Sequence, residues 1–210
     1  MRQDARSSGR RSERHGGVHD VARNGATNDH ADGTTEPGPG PHATTWKEAL
    51  RLADLAHGRL VDAGRTVAVA ESLTGGLVSV VLTAAPGTNA TFRGGLVVYA
   101  TDLKHTAAGV PQADIERHGP VHPVVAERLA AGVRERLSAD YGIGVTGVAG
   151  PGEQARHPVG EVFVSIGSEA GTSVTRHQFE GSRDDIRLAA AIAALSDLVR
   201  ALDTSPTTST

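Results

Sequence analysis

Cysteine is absent from this 210-residue chain, which removes disulfides, thiolate zinc centres and a cysteine nucleophile at once. Aromatic residues are scarce, being limited to Trp46, Phe92, Tyr99, Tyr141, Phe163 and Phe179. There are few stacking platforms, and the core must be assembled mainly from Ala, Val and Leu. An excess of one charge is also missing. A formal net charge of −3 is too small to draw a polyanionic partner, which argues against a nucleic-acid-binding face. No apolar run approaches the ~20 residues needed to cross a bilayer. The N-terminus has arginines but no apolar stretch of the secretory type. The expectation is a cytoplasmic protein that binds neither membrane nor nucleic acid.

What is present divides the chain into three. Residues 1–44 contain no Leu, Ile or Phe, and their six arginines face six acidic residues, Asp4, Glu13, Asp20, Asp29, Asp32 and Glu36. Such a segment cannot bury enough apolar surface to offset its ordering entropy, so it reads as a disordered polar arm. Residues 204–210 read as a short polar tail. Between them, residues 45–203 carry the periodicities of a folded domain. Thr45 and Glu48 have capping-box spacing, and Leu52, Leu55, Ala56 and Leu60 follow at helical spacing up to Gly64.

Residues 66–70 (TVAVA) read as a strand, 75–85 as a buried helix and 92–100 as a second strand. Thr101 is positioned to cap a short helix reaching Gly109, and Pro111 opens another that stops near Gly119. A longer helix is predicted over 123–139, with Val125, Leu129, Val133 and Leu137 on one face. Residues 142–145 (GIGV) read as a buried strand, followed by a Gly/Pro-rich loop over 146–160. Residues 161–167 and 173–179 read as a hairpin. Ser182 with Asp185 caps a final helix that aligns Leu188, Ile192, Leu195, Val199 and Leu202. Strands separated by helices, with one hairpin, imply a layered α/β domain around a mixed sheet.

Three segments share a strand that ends in small or polar residues, namely 69–76, 97–104 and 143–152. In open α/β sheets ligands bind beyond the carboxyl ends of the strands, so the three can converge on one crevice. Gly75-Gly76 sits where a strand passes into a helix, a place suited to a phosphate, to an oxyanion, or simply to a tight turn. Ser72 is either a turn or cap residue or a nucleophile, and it is not set in a Gly-x-Ser-x-Gly elbow. Lys104 is one of only two lysines. It is either an exposed side chain or a base whose pKa has been brought well below the ~10.4 of the free amine. Tyr99 is either a core ring or a hydroxyl at the site. Of ten histidines, four lie in the arm and none falls in a His-Glu-x-x-His pattern. His118 and His122 flank Gly119-Pro120-Val121 with no third ligand in view, so no metal site is expected.

Six runs occur in order: Ala70-Glu71-Ser72-Leu73-Thr74-Gly75-Gly76, Pro86-Gly87-Thr88, Phe92 to Tyr99 followed by Lys104, Gly109-Val110, Gly144 to Gly152, and Pro158-Val159-Gly160. Together they closely resemble the CinA C-terminal domain family, the bacterial nicotinamide-nucleotide amidases. The resemblance covers about residues 45–203. It implies a three-layer α/β/α sandwich around a mixed, mostly parallel sheet. It further implies hydrolysis of the carboxamide of nicotinamide mononucleotide to nicotinate mononucleotide and ammonia, with no cofactor and no metal. By resemblance Ser72 is the nucleophile, Lys104 its base, and Tyr99 assists by hydrogen bonding. Thr74, Gly75 and Gly76 present donors to the oxyanion or phosphate, Thr146, Gly147, Gly150 and Gly152 wall the nucleotide site, and Arg93 is a phosphate partner. A homodimer is implied as well. Two other readings stay open: a non-catalytic pyridine-nucleotide-binding module, and a serine–lysine amidase for another small amide.

Overall fold

A first strand buried at every position, its side chains alternating between two core clusters, organises the molecule. In a computed structural model that describes residues 46–154 and 156–204, β1 (Val67–Glu71) is an interior strand of a five-stranded sheet. Its neighbours are β2 (Phe92–Val97) and β3 (Tyr141–Gly147), both parallel to it. The hairpin of β4 (Glu161–Ser168) and β5 (Gly171–Gln178) extends the sheet beyond β3, giving the order β2-β1-β3-β4-β5. Four of the five strands therefore point the same way, and only β4 runs against them. The arm over 1–44, the Thr45 half of the first capping box and residues 205–210 lie outside the described residues.

Helices cover both faces, as a sheet buried on two sides requires. Val67 and Val69 join β3 and β4 residues against α1 (Trp46–Ala63), α2 (Leu77–Leu82) and α6 (Arg183–Thr204). Ala68 and Ala70 face the other way, into a cluster with Val98, Ile115, Leu129 and Val133. Ile115 comes from α4 (Gln112–His118), and Leu129 and Val133 come from α5 (Pro123–Arg136). The three-layer α/β/α architecture follows. Close approach of α5 to β3 explains two glycines: a Cβ at Gly142 or Gly144 would run into the Ala130 or Ala126 carbonyl.

Boundaries moved where local signals competed with packing. The helix expected over 75–85 shrinks to α2, because residues 73–76 form a turn with Gly75 and Gly76 at positive φ. α3 (Thr101–Thr106) starts with Ala100 in the cap position and no side-chain cap bond, so Thr101 is its first helical residue rather than its cap. The Ser182–Asp185 box forms as expected, with Ser182 N–H donating to Asp185 Oδ2 at 2.9 Å and Asp185 N–H to Ser182 Oγ at 3.3 Å. α6 includes Thr204, the first residue of the expected tail.

Candidate active site

β1 ends at Glu71, and the next residue, Ser72, continues the alternation toward the α5 side. Its N–H donates to the Val145 carbonyl at 3.0 Å, which ties its backbone to β3. Lys104 approaches from α3, of which it is the only buried residue. Lys104 Nζ donates to Ser72 Oγ at 3.0 Å and to the Val98 carbonyl at 2.9 Å. The lysine is 2% exposed, and among the described residues it forms no ion pair with a carboxylate. Burial alone pulls its pKa down, from 10.5 to about 8. An ammonium so placed loses its hydration without a compensating charge, which favours the neutral amine. In that form the contact reverses, the serine hydroxyl donating to the Nζ lone pair, and this is the geometry of a nucleophile with its base.

Both side chains line a cavity of about 170 Å³. Its walls come from the carboxyl ends of the three parallel strands, as the sheet topology dictates. Ser72 and Leu73 follow β1, Tyr99, Thr101 and Lys104 follow β2, and Thr146, Gly147, Val148, Ala149, Gly150 and Gly152 end or follow β3. Thr146 Oγ1 donates to the Pro120 carbonyl at 2.8 Å, fixing that wall against the α4–α5 link. Leu73 and Ala149, both cavity-lining residues, have backbone N–H groups with no acceptor among the described residues. Unpaired backbone donors in a cavity are unusual and suit a ligand oxygen.

Tyr99 is 58% exposed and sits on the cavity wall. Its hydroxyl accepts from Arg183 Nη2 at 2.7 Å rather than meeting Ser72 or Lys104. Arg183 also donates through Nη1 to the Gly150 carbonyl, so it spans the two sides of the opening and is a cation lining it. Sequence reasoning missed this residue. The available signal was a cation in the first turn of a helix, where it opposes the positive end of the macrodipole.

Two expectations need correction. Thr74, Gly75 and Gly76 do not line the cavity. Glu71 projects toward α2, and its carboxylate takes the place reserved for a ligand anion. Oε2 accepts from Thr74 Oγ1 at 2.7 Å and Val78 N–H at 3.1 Å, while Oε1 accepts from Ser79 N–H at 3.1 Å and Ser79 Oγ at 2.7 Å. Gly75 N–H is taken by the Ser72 carbonyl, and the Thr74 carbonyl accepts from Arg187. Arg93 is likewise not brought to the site. It lies near the amino end of the edge strand β2, whereas the cavity is lined by residues beyond that strand's carboxyl end, and its Nε donates to the Leu137 carbonyl at 3.1 Å.

The histidine pair stacks together rather than forming a ligand set. His118 and His122 stack with ring centroids 4.3 Å apart. His122 caps α5, its Nδ1 accepting from Val124 N–H at 3.3 Å. Desolvation, then His118 and His157, push its pKa down. Among the described residues no cluster of three His, Asp or Glu is placed to hold a metal ion.

Comparison with known proteins places this geometry. The CinA C-terminal domain model matches residues 49–202. A CinA-like protein of Frankia casuarinae is 46% identical over 149 residues, covering 71% of this chain and 34% of that protein. One from Acidobacterium capsulatum is 48% identical over 138 residues, covering 65% of this chain and 33% of that protein. The chain thus spans about a third of the length of these relatives. Among solved structures, a competence-damaged protein (CinA) superfamily protein from Enterobacter cloacae superposes with a TM-score of 0.71 at 32% identity, over 73% of this chain and 92% of that one. A competence/damage inducible protein CihA from Agrobacterium tumefaciens gives 0.71 and 32%, over 75% and 96%.

Proposed function

The chain belongs to the CinA C-terminal domain family, and we propose that it hydrolyses the carboxamide of nicotinamide mononucleotide through a Ser72–Lys104 dyad. The observation that carries this reading is the 3.0 Å contact between Ser72 Oγ and a Lys104 Nζ removed from solvent and, among the described residues, from any carboxylate partner. A lysine placed there costs stability, and a buried base beside a serine in a cavity is a chemical arrangement before it is a structural one.

The neutral Lys104 amine takes the hydroxyl proton as Ser72 Oγ attacks the carboxamide carbon. The developing oxyanion accepts from the Leu73 N–H, the donor directly after the nucleophile, and Ala149, a residue of the same cavity with no acceptor for its N–H among the described residues, is the second donor. The resulting Lys104 ammonium returns the proton to the leaving nitrogen, so ammonia departs and an acyl-enzyme remains. Water then attacks with Lys104 again as base, releasing nicotinate mononucleotide. A cavity of about 170 Å³ suits the pyridine carboxamide, leaving ribose and phosphate toward the opening. There Arg183 is the phosphate partner in place of Arg93, and the Tyr99 ring flanks the path. Leu73 lines the cavity without filling it, which favours the enzyme over a binding module with closed reactive geometry.

Incubation with nicotinamide mononucleotide should release ammonia, and Ser72→Ala should abolish that release. Equal rates from the two proteins would overturn the assignment. A substrate panel read by ammonia release separates this nucleotide from other small amides. The same proposal places the protein in the cytoplasm as a homodimer, to be checked by light scattering. No described helix is long and apolar enough to cross a membrane.

A further inference from the structure

Glu71 is fully buried, and among the described residues it has no cationic partner. A carboxylate in that state is costly unless every lone-pair direction finds a donor. Val67 and Val69 share its face of β1 and fill the same layer with apolar side chains, so packing alone would be served by another valine. The four donors that Glu71 collects instead belong to one short stretch of chain, Thr74 to Ser79.

Gly76 occupies the cap position of α2 and has no side chain with which to cap it. Glu71 performs that role from outside the helix, receiving the N–H groups of its second and third residues. The turn closed in this way is the one that carries Ser72 and Leu73. The backbone of Glu71 reaches the base as well: its carbonyl accepts from Val98 N–H at 2.9 Å, and the Val98 carbonyl accepts from Lys104 Nζ. One residue is therefore bonded both to the turn that holds the nucleophile and to the strand end that holds the base.

We propose that Glu71 is a positioning residue, whose four-donor carboxyl group sets the 72–76 turn so that Ser72 Oγ and the Leu73 N–H meet the substrate in register with Lys104. The inference rests on the Ser72–Lys104 reading. Glutamine is the discriminating substitute because it keeps the shape of the side chain. Each Glu71 oxygen faces a backbone N–H, so an amide NH₂ on either side would oppose a donor with a donor.

The test uses the full chain and a fluorophosphonate, which forms a bond from Ser72 Oγ to phosphorus with loss of fluoride and reports nucleophile alignment whatever the natural substrate is. Labelling at Ser72 is followed by intact mass and peptide mapping, alongside kcat and KM for nicotinamide mononucleotide. Glu71→Gln should be labelled about 10²-fold more slowly, the scale expected for an ångström of misplacement. Its kcat should fall in parallel while KM stays within about twofold, because the walls that follow β2 and β3 are unchanged. If Glu71→Gln does not fold, Thr74→Val with Ser79→Ala removes two of the four donors, and about tenfold slower labelling is expected. Wild-type labelling with variants labelled equally fast per folded molecule would overturn the positioning role alone. Wild-type protein unlabelled at Ser72 would overturn the dyad and this inference with it.

Discussion

Replacing Lys104 by methionine tests the buried base without any substrate. Methionine keeps an unbranched apolar stem, so the change removes the ammonium more than it removes packing. Burial brings the Lys104 pKa from 10.5 to about 8, which means the folded chain holds at neutral pH a charge that the unfolded chain keeps in water. At about 1.4 kcal/mol per factor of ten, that penalty is roughly 3 kcal/mol. Methionine leaves the Val98 carbonyl and Ser72 Oγ without their donor, which returns about 1 kcal/mol. The variant should therefore be more stable than wild type at pH 7 by roughly 2 kcal/mol, or about 4–8 °C in Tm for a chain of this size. Below about pH 8 both folded and unfolded wild type are protonated at this residue, so its penalty there is constant. Between about 8 and 10.5 the unfolded state binds more protons than the folded one, so wild-type stability climbs with pH and the gap closes. Urea denaturation of both proteins at pH 7 and 9.5, followed by circular dichroism, measures the gap and its slope. A variant no more stable at pH 7, or a gap that does not shrink with pH, would refute the burial argument. The same substitution should cost about 10²–10⁴ in kcat, and wild-type kcat/KM should rise with pH through a limb near 8.

Three further outcomes are expected. Arg183→Ala should raise KM for nicotinamide mononucleotide by roughly 10- to 100-fold, the worth of a charge-assisted contact, and should leave the phosphate-free riboside unaffected in steady-state kinetics. Arg93→Ala should leave both kinetic constants within about twofold, because that side chain bonds the Leu137 carbonyl away from the cavity. The pKa of His122 lies below its ordinary 6.5 in the folded chain, so the unfolded state gains the proton first as pH falls. Its contribution is present above 6.5 and is lost as the pH drops through the folded value. His122→Ser, which can still cap α5, should flatten the decline in Tm between pH 6.5 and 5.

Much of the fold was legible because its signals are local. The periodicity of Leu52, Ala56 and Leu60 selects a buried face within a few turns, and those residues are buried in α1. The Ser182–Asp185 spacing caps α6 through atoms three residues apart. The strand ends at 72, 99 and 146 were readable as one crevice from the rule that parallel strands present their carboxyl ends together, and the three residues line one cavity. The order of motifs singled out Ser72 and Lys104. Their spacing of 32 residues carried no information on whether the lysine is buried.

The sequence by itself determined the elements and the layering, since each rests on hydrophobic periods and turn chemistry acting over a few positions, while the pairing of Ser72 with Lys104 was implied by the resemblance of the ordered motifs. Only the tertiary structure decided which polar groups find one another. It placed the Glu71 carboxylate on the N–H groups of α2, leaving the glycines beside it without a ligand to hold. It moved the cation at the opening from Arg93 to Arg183, 84 residues from the Tyr99 hydroxyl it meets. It also stripped water from Lys104, and with it much of the ammonium's advantage over the neutral amine. Desolvation and hydrogen-bond pairing are set by every element that packs around a group, and no local pattern in the chain encodes them.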